Sequence, residues 1–196
     1  MDFTGLIQEK IRESIEVKRA FLSDEKMIKT IQSASREVIN AFRKNKKVLL
    51  CGNGGSAADA QHIAAELSGR FYFDRKPLDA EALHVNTSYL TAISNDYSYD
   101  EVFSRLVTAK GQKGDILISI STSGNSINIL KAIEEANRIG MINIGFTGER
   151  GGKMNGKCKH LVKVPSSDTP RIQETHILIG HIICEIAEKA LFPKKG

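Results

Sequence analysis

Three places in the chain combine residue types that could do chemistry. The first is Cys51-Gly52-Asn53-Gly54-Gly55-Ser56-Ala57, a glycine-rich turn directly after an apolar run. Gly52, Gly54 and Ala57 satisfy the loose dinucleotide pattern, but that motif also wants an acid at the end of the next strand to hold a ribose. The next apolar run ends His84-Val85-Asn86, without a carboxylate. The turn therefore reads as backbone that approaches some other ligand closely. The second place is Ser121-Thr122-Ser123-Gly124-Asn125-Ser126, between an apolar run and a helical pattern. A cap needs one hydroxyl. Four hydroxyls and a glycine at a helix N-terminus, with exposed N–H groups and the helix dipole behind them, suit a phosphate. No Walker lysine follows the glycine, so a nucleoside-triphosphate loop is excluded. The third is the pair His62 and Glu66, whose four-residue spacing puts an imidazole and a carboxylate on one helix face. A last helix adds Gln173, Glu174, His176 and His181 to an otherwise apolar pattern. For each histidine the plain alternative is a hydrogen-bonded core residue.

The elements that must position these residues are legible from periodicity. Residues 4–22 predict an amphipathic helix with Ile7, Ile11, Ile15 and Leu22 on one stripe. Ser23 or Asp24 then caps a second helix carrying Met27, Ile28, Ile31, Val38, Ile39 and Phe42. From Lys47 the period changes. The short apolar runs KVLLC, AEALHV, DILISI, MINIGF and HLVKVP alternate with helical stretches at Ser56–Ser68, near 88–94 and 100–110, at Ser126–Arg138 and at Pro170–Leu191. Strands alternating with helices predict a mostly parallel sheet with helices on both faces, an α/β fold. The chain reads as one domain over residues 1–196, with a helix hairpin (1–46) ahead of an α/β core (47–196). The hairpin carries more apolar surface than one sheet face can cover, and another subunit is one outlet for the excess. In an open parallel sheet, ligands bind beyond the carboxyl ends of the strands, where the first two motifs fall.

Composition narrows the function classes. The 196 residues are 41% hydrophobic and 26% charged, an ordinary globular balance. No apolar run approaches the roughly 18 residues of a membrane span; His181, Glu185 and Glu188 interrupt even Ile177–Phe192. The N-terminus lacks a basic region followed by an apolar block, so no signal peptide is expected. Three cysteines without CxxC spacing fit a reducing cytoplasm. The net charge of +5 is spread over residues 1–48, Arg150–Lys163 and Lys194–Lys195. A basic stripe interleaved with aromatics is lacking, which argues against nucleic acid. A mildly positive chain suits a small anionic substrate.

Together, CGNGGSAADAQHIAAELSGRF, ISNDYSYDEVFSR, ISTSGNS and PRIQETHILIGHIICEI resemble the phosphoheptose isomerases, members of the sugar isomerase (SIS) domain family. The match runs in order over nearly the whole chain. The resemblance implies a flavodoxin/Rossmann-like three-layer α-β-α sandwich with a five-stranded parallel sheet, assembled as a homotetramer with active sites between subunits. It implies conversion of sedoheptulose 7-phosphate to D-glycero-D-manno-heptose 7-phosphate, the first step toward nucleotide-activated heptoses of lipopolysaccharide, capsule or S-layer glycans. The family's substrate contacts fall on Asn53, Gly54, Gly55, Glu66, Asn95, Asp96, Ser121, Thr122, Ser123, Ser126 and Gln173. Its zinc ligands, one ion per subunit, fall on His62, Glu66, Gln173 and His181. Glu66 and His181 match its acid/base pair, and Arg70 and Asp168 its supporting polar groups.

One spacing is awkward for that ligand set. Gln173 and His181 lie eight residues apart, about 12 Å along a continuous helix. For both to reach one metal, the helix start must be irregular, both side chains must lean inward, or the two must come from different chains. A rival reading also exists: some related SIS-domain proteins are adaptors that bind the bacterial replication initiator. That branch lacks the acid/base pair that Glu66 and His181 keep here. Sugar-phosphate-sensing regulators would need a helix-turn-helix domain, for which the 46 residues before the first strand are too few.

Overall fold

The computed structural model describes residues 1–193; the Lys194–Lys195 pair lies outside them. Five parallel strands, β1 (Val48–Gly52), β2 (Ala80–Ala82), β3 (Ile116–Ile120), β4 (Ile142–Gly148) and β5 (His160–Val164), form one sheet in the order β2-β1-β3-β4-β5. Every residue of β1 and β3 is buried. Covered on both faces, they appear in sequence as continuous apolar runs rather than alternating ones. The strand order reverses between β1 and β3, paired in register from Val48↔Ile116 to Gly52↔Ile120. A ligand crevice is expected at that reversal, and both glycine- and serine-rich loops open onto it.

The described residues form seven α-helices around the sheet: α1 (Thr4–Leu22), α2 (Glu25–Arg43), α3 (Gly55–Ser68), α4 (Thr87–Asp96), α5 (Val102–Lys110), α6 (Ile127–Ile139) and α7 (Thr169–Leu191). On one face α2, α3 and α7 share an apolar cluster with Val48, Leu50, Ile116 and Ile118. On the other, Phe103, Leu106, Ile129 and Ile133 of α5 and α6 pack on Leu49 and Leu117. The three-layer sandwich expected from the sequence is thus the observed one. Of the two possible caps for α2, Asp24 holds the place, its carboxylate accepting from Met27 N at 3.0 Å. Within the hairpin, α2 is buried in the shared cluster. Helix α1 leaves Phe3, Leu6, Ile7 and Ile11 more than half exposed.

One element is shorter than its apolar run suggests. Of residues 80–85, only Ala80–Ala82 pair with β1. Leu83 N still donates to Leu50 O, but Val85 N turns back to Ala82 O. Asn86 then starts α4, its side-chain oxygen accepting from Ser88 N and Tyr89 N. The Asn cap overrides the β-propensity of the residues before it.

Candidate active site

Helices α3 and α7 lie side by side and run in the same direction: Gly55 faces Gln173, Ile63 faces Gly180, and Phe71 N donates to Glu188. A side chain at Gly180 would strike Ile63 at 2.4 Å, so the glycine lets the helices close up. This contact brings His181 to the face of α3 that carries His62 and Glu66. His62 Nε2 stands 3.2 Å from Glu66 Oε1 and 3.5 Å from His181 Nε2. The imidazoles meet edge to face at 5.0 Å, and the Phe71 ring walls His181 at 5.7 Å. One ligand atom from each of His62, Glu66 and His181 lies within 4.8 Å of the others. Two imidazoles and a carboxylate are a donor set that suits zinc, so these three residues could hold a metal ion. Glu66 and His181 meet within one chain, and that pair needs no second subunit.

Gln173 lies nearer the start of the two helices. Helix α7 is continuous from Thr169, and the Gln173 amide rests on Gly55, at the start of α3. Gly55 precedes His62 by seven residues, about 10 Å of helix. Between them Asp59 occupies the same face. One of its carboxylate oxygens is buried without a hydrogen-bond partner. Burial pushes its pKa up to about 6, against the pull of His62. The i, i+3, i+7 spacing of Asp59, His62 and Glu66 is the local sequence signal for this placement.

The serine-rich loop follows β3. Ser126 stands at the N-cap of α6, yet its hydroxyl makes no capping bond. It faces Ser121 instead, oxygen to oxygen 3.1 Å. Gly124 adopts φ +66°, a left-handed turn that favours glycine, and directs its N–H to Ser121 O. Thr122 and Ser123 open on a cleft of about 310 Å³, shared with Arg150, Ser166 and Thr169 beyond β4 and β5. Across the sheet reversal, Gly54 at φ +55° turns the first loop into α3. Asn53 in that loop forms a reciprocal amide pair with Asn128 of α6, at 2.9 and 3.0 Å. Tyr99 Oη also donates to Asn53 Oδ1, at 3.0 Å. Nothing local in the sequence marks either partner, 75 and 46 residues away from Asn53.

The remaining expected residues lie at the margins. Asn95 and Asp96 are exposed at the end of α4, Asn95 donating to Asp96 at 3.0 Å. Arg70 is exposed just past α3, and Asp168 is the N-cap of α7. His176, by contrast, is a core histidine: fully buried, with Nε2 3.3 Å from Thr147 O. Burial lowers its pKa to about 4, and the Thr147 bond opposes that shift.

A family model described as the SIS domain matches residues 12–148. The phosphoheptose isomerase of Clostridium acetobutylicum is 56% identical, covering 97% of this chain and 97% of its own. Phosphoheptose isomerase 2 of Campylobacter jejuni is also 56% identical, over 98% and 96%. Among solved structures, a phosphoheptose isomerase from Neisseria gonorrhoeae has a TM-score of 0.90 at 40% identity, covering 96% of this chain and 100% of that one. One from Francisella tularensis has a TM-score of 0.92 at 35% identity, with the same coverage.

Proposed function

The chain belongs to the phosphoheptose isomerases, a family of enzymes built on the SIS domain, and on that premise we propose that it converts sedoheptulose 7-phosphate to D-glycero-D-manno-heptose 7-phosphate. The observation that carries this reading is the separation of two chemistries. In a 7-phosphorylated ketose, the carbons that react, C1 and C2, lie at the far end of the chain from the phosphate. The site has the same polarity. Hydroxyls and helix N-termini gather at the sheet reversal, while the carboxylate–imidazole cluster begins at His62, about 10 Å along α3 from Gly55 at that reversal. A site for a short substrate would have no use for that distance.

In this reading Ser121, Thr122, Ser123 and Ser126 take the phosphate, helped by the α6 N-terminus. Asn53, Gly54, Gly55, Asn95, Asp96 and Gln173 contact the sugar. Glu66 removes a proton from C1 and returns it to C2 of a cis-enediol, one carboxylate serving both transfers. His181 opens the ring and carries protons between the oxygens, an imidazole offering both a proton donor and a proton acceptor. A zinc ion held by His62, Glu66 and His181 would polarise the carbonyl. Gln173 would complete that ligand set by leaning along α7 toward His181 or from a neighbouring subunit. The exposed apolar stripe of α1 supports a homotetramer, the closed symmetric assembly that would bury it. Free Cys51, Cys158 and Cys184, and the lack of any described helix long and apolar enough to cross a membrane, are consistent with a cytoplasmic enzyme. Its product would feed nucleotide-activated heptose synthesis. No feature favours the adaptor reading. Incubating the pure protein with sedoheptulose 7-phosphate and following the aldose by NMR tests the assignment, and an unchanged ketose spectrum would refute it.

A further inference from the structure

The two helices that carry the cluster are tied together at their far ends by a buried ion pair. Glu188 lies on α7, seven residues beyond His181, and its side chain is 1% exposed. Its carboxylate accepts from Phe71 N at 3.0 Å, Tyr72 N at 2.8 Å and Arg75 Nε at 2.9 Å. Arg75, equally buried, donates onward through Nη2 to the carbonyl of Glu66 at 2.9 Å. Through Nη1 it reaches the carbonyls of Leu67 at 2.9 Å and Gly69 at 3.2 Å. Burial pushes the Glu188 carboxyl up, but the two amides and the guanidinium outweigh it and hold its pKa below the usual value.

This arrangement matters because of where α3 stops. The helix ends at Ser68, so Glu66 sits in the last turn. Carbonyls there have no partner within the helix, and helix ends fray. Arg75 supplies the missing donors at the residue whose side chain must be placed. On the other side, Glu188 fixes Phe71, whose ring lies against His181. Stability alone does not account for the pair, because apolar side chains of similar volume serve a core at least as well as buried ions.

We propose that Arg75 and Glu188 are positioning residues for the isomerisation: they hold Glu66 and His181 in register, and breaking the pair costs turnover rather than substrate affinity. The inference rests on the assignment of Glu66 and His181 as the acid/base pair. The phosphate loop, on β3 and α6, makes no bond to either residue, so substrate binding is spared.

The test uses the full chain with Glu188→Gln, which keeps size and an acceptor, and Arg75→Lys, which keeps charge but loses the guanidinium fork. Phe103→Leu, in the apolar cluster on the opposite face, is the control for plain destabilisation. kcat and KM for sedoheptulose 7-phosphate are measured with Tm and amide exchange over residues 65–72. Both variants should lose roughly tenfold or more in kcat, as misplaced reacting groups do, with KM within about twofold of wild type. Exchange over 65–72 should rise. Phe103→Leu should lower Tm and leave kcat unchanged. Folded variants with wild-type kcat would overturn the proposal, as would a control that loses as much kcat as they do for the same fall in Tm. Should both singles fail to fold, the apolar double Arg75→Met/Glu188→Leu decides: wild-type kcat overturns the proposal, and a lost kcat at normal KM supports it. A wild-type protein inert on the ketose would sink the acid/base assignment instead, and the exchange data would still report whether the pair holds the Glu66 end of α3.

Discussion

The Nε2 atoms of His62 and His181 stand 3.5 Å apart, with the Glu66 carboxylate beside His62. The ligand atoms of these three residues lie within 4.8 Å of one another, close enough to share one cation. Zinc or cobalt(II) should therefore bind the apoprotein at one site per chain. Binding should weaken in acid, because protons compete with the metal for its ligands. His62→Gln should weaken it by roughly tenfold or more. Calorimetric titration measures both; equal affinity in the variant would place the metal elsewhere.

Ser121 and Ser126 share a hydroxyl contact at the mouth of α6. Replacing Ser121 and Ser123 with alanine should raise KM for the phosphorylated ketose, each lost bond to a charged group costing roughly 1.5–3 kcal/mol. Steady-state kinetics read this directly, and an unchanged KM would mean that the phosphate lies elsewhere.

Gln173 rests its amide where a side chain at position 55 would have to go, 2.4 Å from that Cβ. Gly55→Ala should therefore push away the flexible end of Gln173 and leave the fold intact. Gly55 opens α3 without a positive φ, so alanine fits its backbone and Tm should hold while activity falls. A fully active Gly55→Ala protein would free Gln173 from any role at the substrate.

His176 gives the fold an acid sensitivity. Its folded pKa is about 4, below the ordinary value, so between those values the unfolded chain takes up a proton that the folded chain refuses. The stability it contributes is complete above about pH 6.5 and falls away as pH drops toward 4, by up to about 3 kcal/mol. Asp59 acts with the opposite sign: its raised pKa of about 6 favours the folded state at low pH, and that contribution is lost as pH rises through 6. The comparison that isolates His176 is with His176→Gln, which keeps a donor for Thr147. Urea midpoints between pH 7 and pH 4.5 should decline less in the variant; parallel declines would contradict the assignment.

The outline of the fold was legible because each layer writes its own period. The change at Lys47 marks the passage from amphipathic helices to strands buried on both faces, and the apolar runs fall on β1, β3, β4 and β5. β2 was overestimated, since its last apolar residues are claimed by the cap of α4. The serine loop and the His62–Glu66 pair could be read locally. His181 could not be ranked above His176 by type or by helix; the contact of α7 with α3 exposes one and buries the other. Asn128, Tyr99, Arg75 and Glu188 act through partners distant in sequence, and no local pattern announces them.

The central claim is that Glu66 moves a proton between adjacent carbons of a 7-phosphorylated ketose. Running the reaction on sedoheptulose 7-phosphate in D2O and following it by NMR tests this directly. The wild-type protein should form the aldose with solvent deuterium appearing at its C2. Glu66→Gln should form none, while still binding the phosphorylated sugar. An inert wild-type protein, or a Glu66→Gln protein that turns over at the wild-type rate, would contradict the account.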